Sequence, residues 1–393
     1  MQPSVRFVRS VFFAAVMIGS LAQDGAAEPA KPAPARPAEP ARPAAVKPAS
    51  DKPASTPALE QVFADPKYQL TGVAVSAKGR VFTNYPIWSP VHQYCVVEIV
   101  AGKARPYPDE AMNSWKPGED GIKKWVSVQA VYVDDQDKLW VVDPAAPGFG
   151  EVYQDSNKLV RIDLATNKVE RTYLLKNAAD KHSYLNDVRV DTGRQVAYLT
   201  SSSQGGIVVV DLASGKARMV LADAPAVHSD PAYSFVIGGK ELAVGGKPIK
   251  INSDGIALSP DRAWLYWKPL TDDKLYRIKT ADLRDEKLGA AALGKRVEDL
   301  GHFVATDGME FDPSGNLYVG DLAHGAIVRI DPDQKTRTEL VRDERLVWPD
   351  SYAISRDGYL YISTSHIHEA PQFNGGVDQR KLPYGLFRMK LPR

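Results

Sequence analysis

Three aspartates, two amides and a threonine recur at one register of this sequence. Thr71, Gln129, Asn186, Asp254, Asp307 and Asp350 each open a short apolar run: TGVAVSA, QAVYVDD, NDVRVDT, DGIALSP, DGMEFDP and DSYAISR. If the six positions converge, their oxygen atoms suit a hard cation such as Ca2+, which takes about six to eight oxygen ligands, or an organic ammonium. Crowded carboxylates repel one another, so some of Asp254, Asp307 and Asp350 are expected to hold protons. The same residue types also have a purely structural use, because Asp and Asn ahead of a strand bond nearby backbone amides in turns.

Several of these runs continue through a turn into an aromatic-rich strand, as in GNLYVGD, AWLYWKP and GYLYIST. The interval between run starts ranges from 43 residues (Asp307 to Asp350) to 68 (Asn186 to Asp254). Repeats of about 40 to 50 residues built from short strands mark the blades of a β-propeller, since one small sheet buries its faces only by stacking on the next. The expectation is therefore an all-β chain folded as a six-bladed β-propeller, with the inner strand of each blade lining a central channel. That placement makes the six positions a ring. Closure is expected from residues 60–64 as an outer strand in the blade containing 385–391, which removes exposed sheet edges. Few stretches have helical period, and 280–293 is read as a loop with at most a short helix.

The propeller is expected to occupy residues 59–393 as one domain, because all-β propellers exceed the average domain size. A net charge of +1 with 25% charged residues leaves no basic excess of the kind nucleic-acid binding needs. Arg6 and Arg9, an apolar stretch at 11–22 and the small residues Gly25, Ala26 and Ala27 form the three regions of a secretory leader over residues 1–27. Cleavage is expected after Ala27, or else after Ala26. The apolar stretch falls short of the about 20 residues of a spanning helix, so the mature chain is expected to have no membrane span. Export to a bacterial periplasm is the expected localisation. Residues 28–58 are dominated by Pro and Ala and read as an extended, disordered spacer or an inert tail, reaching on the order of 90 Å. Cys95 is the single cysteine. No intramolecular disulfide is available, and Cys95, within QYCVVEIV, reads as a buried apolar residue. A monomer is expected.

Other groups carry weaker signals. His366, His368 and Glu369 in SHIHEA would present two imidazoles on one face of an extended segment, and a solvent-facing pair is expected there. Arg189 and Glu310, each three residues after a ring position, are candidates to pair across the channel. Tyr85, Trp88 and Trp348 are candidate aromatic walls, or alternatively rim and core packing. No G-x-S-x-G elbow, P-loop or C-x-x-C is present, which leaves serine-hydrolase, nucleotide and thioredoxin-like chemistry unsupported.

The order and adjacency of KLWVVDP, KLVRIDLATNKVERTY, LNDVRVD, AYLTSSSQGGIVVVDLASGKARMVL, HSDPAYSFVIGGKEL, SDGIALSPDRAWLYWKPLTDDKLYRIKT, YAISRDGYLYISTSH and LFRMKL resemble the yellow and major royal jelly protein family. The resemblance spans the chain from about residue 59 onward and implies a six-bladed propeller. It also implies either binding of a small amine in the channel or dopachrome conversion. Insect members carry paired cysteines, which this chain lacks. A more distant similarity to the gluconolactonase and senescence-marker group implies a divalent metal held by Asp254 and Asp307, with Asn186 beside the substrate and Thr71 where that group has a glutamate. On that resemblance Asp307 or Asp350 would be the base that activates water against a lactone. Three functions are thus expected in competition: a binder of a small amine, lactone or aromatic molecule, a metal-dependent lactonase, and a protein-interaction scaffold.

Overall fold

The structure, a computed structural model, describes residues 58–392. The expected leader at 1–27 and the Pro/Ala-rich segment at 28–58 lie outside the described residues, apart from Ala58. Six four-stranded antiparallel sheets are arranged as the blades of a propeller. Their inner strands are Val73–Val75, Ala130–Val133, Leu185–Asp191, Ser253–Leu258, Met309–Phe311 and Pro349–Ile354. We number the blades in that order and call the end at which the inner strands begin the upper face.

Alternating apolar residues on both faces of each sheet bury themselves against the next blade. Six apolar clusters fall accordingly one at each blade interface, such as Leu185, Val188, Leu199 and Trp140 between blades 2 and 3. Blade 6 is composite. Its outer strand is Glu60–Asp65, paired antiparallel with Tyr384–Lys390 so that Ala64 faces Gly385, the closure expected from the sequence. Phe63 is buried in the seam, and Tyr85 donates its hydroxyl to Asp65 Oδ2 at 2.8 Å.

Neighbouring blades are also tied at the ring by second-strand side chains. Asn84 Nδ2 donates to the Gln129 carbonyl, Thr200 Oγ1 to that of Asp254, and Ser363 Oγ to that of Thr71. Cys95 is buried at the start of its strand, as expected, and burial pushes its thiol pKa upward. The 280–293 region forms two short helices, Thr280–Arg284 and Ala290–Gly294. Among the described residues no helix is long and apolar enough to cross a membrane.

The largest departure from a plain repeat lies between blades 3 and 4. There the long interval holds two short hairpins, Val236–Ile237 with Lys240–Glu241 and Ala243–Val244 with Lys247–Pro248. Phe235, Ile237, Leu242 and Ile249 pack with Trp348 and Phe373 into an apolar cluster at the upper face.

Candidate functional site

The ring residues sit where pairing between the first two strands of a blade is interrupted. Register shifts fall between Leu185 and Val188, between Ser253 and Ile256, and between Pro349 and Tyr352. The shifted residues include Asn186, Asp254 and Asp350; such bulges re-aim side chains. The residue after the ring position must be small where blades crowd: a Cβ on Gly255 would lie 2.1 Å from the Asp307 carbonyl oxygen, and one on Gly308 2.6 Å from that of Asp350.

All six ring residues are buried, but they do not play equal parts. Thr71 is spent on the scaffold, its hydroxyl donating to the Gln129 carbonyl and accepting from Asn84 Nδ2. Gln129 accepts the Tyr184 hydroxyl at 2.8 Å, and that hydroxyl in turn accepts Trp88 Nε1 at 2.8 Å. The polar groups that converge come from blades 3 to 6. Asn186 Nδ2 donates to Asp254 Oδ2 at 2.7 Å, and Trp348 Nε1 donates to Asp307 Oδ2 at 2.6 Å.

Burial pushes the Asp254 carboxyl well above the usual range, and the Asp307 charge adds to the effect. Burial likewise drives Asp307 up to about 7 against the opposing Trp348 hydrogen bond, and raises Asp350, with Asp307 contributing. The Asp254 and Asp307 carboxyls interact strongly, and a proton on one of them relieves their repulsion. Among the described residues no donor reaches Asp254 Oδ1. A shared proton, or a cation in its place, supplies what that oxygen lacks.

A fourth carboxylate, Asp187, was not anticipated. It belongs to blade 3, yet its Oδ2 lies 3.6 Å from the position a Cβ on Gly308 of blade 5 would take. Burial raises its pKa while Arg189 opposes, and its charge is felt by Asp254, Asp307, Asp350 and Glu310. The available signal was its position: the residue after the ring position is Gly, Ala or Ser in the other five blades (Gly72, Ala130, Gly255, Gly308, Ser351).

Arg189 and Glu310 do pair across the channel, at 3.1 Å. Arg189 also donates to the Val188 and Met309 carbonyls, and its guanidinium lies 5.0 Å from the Tyr132 ring centroid. This group lies three residues further along the inner strands than Asn186 and Asp307, on the lower side of the acidic cluster.

Of the candidate aromatics, Trp88 stacks on Phe149 with ring centroids 5.1 Å apart, and Phe149 packs on Tyr184. Trp348 stacks on His368 at 5.8 Å and meets Phe235 edge-on. Tyr85 is turned away into the seam between blades 6 and 1. The expectation of an extended, solvent-facing histidine pair is corrected. Residues Ile367–Glu369 form a 3-10 turn, His366 is buried and bonded to Glu369 at 3.0 Å, and burial lowers both imidazole pKa values. Apolar packing against Trp348 and Tyr384 draws both rings inward.

Among the described residues no group of three His, Cys, Asp or Glu is disposed to hold a metal ion. Asp254 and Asp307 supply two carboxylates, and Thr71, where a third would be needed, is hydrogen-bonded on both sides of its hydroxyl.

An acidic cluster in the upper channel of a six-bladed propeller defines the class of this molecule. The profile of the major royal jelly protein family matches residues 126–387, and the chain belongs to that family. It is 28% identical to major royal jelly protein 6 of Apis mellifera over 181 residues, covering 44% of this chain and 39% of that protein. It is 30% identical to a 6-deoxy-6-sulfogluconolactonase of Pseudomonas putida over 115 residues, 29% of this chain and 38% of the relative. Both matches span well under half of the relative's length. A gluconolactonase of Xanthomonas campestris shares the fold, with a TM-score of 0.53 at 15% identity, over 91% of this chain and 99% of that one.

Proposed function

We propose that the protein binds a small organic cation at the upper end of its channel, in a bacterial periplasm to which the leader-like N-terminus directs it. The observation that carries this reading is the convergence of Asp254, Asp307 and Asp350 with Asp187 beneath them, buried together and short of positive charge. Lys268 acts on Asp254 and Asp307, but it is bonded to the Pro269 and Asp272 carbonyls, and burial lowers it to about 8. A ligand ammonium would relieve the repulsion and displace the shared proton. Asn186 and Gln129 complete the polar wall. Trp348, bonded to Asp307 through its indole N–H, and Trp88, linked through Tyr184 to Gln129, would add cation–π attraction of about 0.5–2 kcal/mol each.

A titration calorimetry experiment with phenethylamine tests this. Saturable one-to-one binding is expected, at least tenfold weaker for Asp307→Asn, with affinity rising as pH increases through 7 because the carboxyls then release their protons. Binding indifferent to both the substitution and pH would sink the reading.

The unpartnered Asp254 Oδ1, together with the sulfogluconolactonase similarity, supports a second reading as a lactonase. Asp254 and Asp307 would hold a divalent cation such as Ca2+, which when bound polarises a lactone carbonyl. In that reading Asn186 positions the ring oxygens and Asp350 takes a proton from water. Stoichiometric Ca2+ binding lost in Asp254→Asn, with turnover of a sugar lactone, favours it over the amine reading.

A further inference from the structure

The geometry points to a second small-molecule site at the lower end of the channel, beyond the acidic cluster and independent of it, which takes an uncharged aromatic molecule carrying a hydroxyl or amino group. Below the Arg189–Glu310 pair the channel widens into a cavity of about 790 Å³, within the roughly 300–1,000 Å³ range of drug-sized ligand sites. Five blades supply apolar walls: Val73, Val133, Leu258, Phe311 and Ile354. The polar groups are few and specific. Glu310 closes the inner end, with Oε2 toward Arg189 and Oε1 accepting the Phe311 amide at 3.1 Å. Tyr132 lines the same cavity, and no described residue hydrogen-bonds to its hydroxyl.

An apolar cavity with a carboxylate and an unpartnered phenol at one point matches a ligand with an apolar body and a single donor. The lower rim carries both signs, with Arg356 and Lys390 beside Asp312 and Asp357. Such a rim selects neither anions nor cations. The Arg189–Glu310 pair has side chains only 6% and 15% exposed, and none of Asp187, Asp254, Asp307 and Asp350 lines the lower cavity.

The probe is N-phenyl-1-naphthylamine, a neutral fluorophore that brightens in apolar surroundings and carries one N–H donor, titrated into the full chain. One saturable site per chain is expected. Leu258→Trp, which fills the cavity, should weaken it at least tenfold, and Tyr132→Phe, which removes one oxygen and leaves packing intact, about threefold or more. Asp307→Asn should leave it unchanged while weakening phenethylamine at the upper site. The proposal is overturned if no saturable binding occurs, if neither Tyr132→Phe nor Leu258→Trp alters it, or if Asp307→Asn abolishes it. None of these results bears on the amine titration, so the two sites stand or fall separately.

Discussion

Asp307 stands under two opposing influences. Burial among other carboxyls favours its neutral form, whereas the indole of Trp348 favours the charged one, and burial wins, to about 7. An unfolded aspartate releases its proton near about pH 4. Its contribution to stability is therefore fully present below that value and is lost as pH rises through 7. Urea midpoints at pH 5 and pH 8 should differ in that direction, and the difference should shrink in Asp307→Asn, whose amide oxygen still accepts Trp348 Nε1. Asp254→Asn replaces a carboxyl whose ionisation burial and the neighbouring carboxylates oppose with an amide that never ionises. It should raise stability at pH 8 by about 1 kcal/mol or more while abolishing cation binding, a trade of function against stability. The acidic ring was legible because one register repeats along the chain. Which members would be free was not, since the fate of Thr71 depends on Asn84 and the Gln129 carbonyl, a neighbouring blade that no local pattern reveals.

At the scale of elements, the approach of adjacent inner strands sets the ring. Gly255→Ala drives a methyl into the Asp307 backbone and should cost more than about 2 kcal/mol as overpacking. Gly294→Ala, at the end of a short surface helix with open space around it, should be neutral or stabilise by about 0.5 kcal/mol. Thermal denaturation of the two variants separates a packing glycine from a permissive one. The loop ahead of blade 2 hangs on a different device: Asp143, fully buried, accepts Val126 and Ser127 amides and pairs with Lys158 Nζ at 2.7 Å. Asp143→Ala leaves that ammonium buried and uncompensated and should cost about 3–5 kcal/mol. Strand order followed from alternation and turn residues. The register shifts at Asn186, Asp254 and Asp350, and the packing of the 235–249 hairpins against Trp348, did not, because bulges and caps are decided by tertiary fit. The same fit overrode the extended reading of the two histidines.

For the molecule as a whole, the seam in blade 6 joins strands more than 300 residues apart. Loop-closure entropy grows only logarithmically with length, so that pairing costs little more than a short-range one. Its loss would be severe: a chain beginning at Lys67 would leave Tyr384–Lys390 as a bare edge and should form soluble aggregates visible by size-exclusion chromatography with light scattering. This closure was readable from the sequence because a ring of blades needs a clasp that leaves no exposed edge, and residues 60–64 and 385–391 lie at the two ends of the propeller. The ion pair of Arg189 with Glu310 gives the assembled ring a further property. With that pair between the two proposed sites, each site would be a well entered from its own face, and a solute would leave by the face it came in. Substitutions that reshape one such well would then leave the diffusion of molecules into the other unaltered.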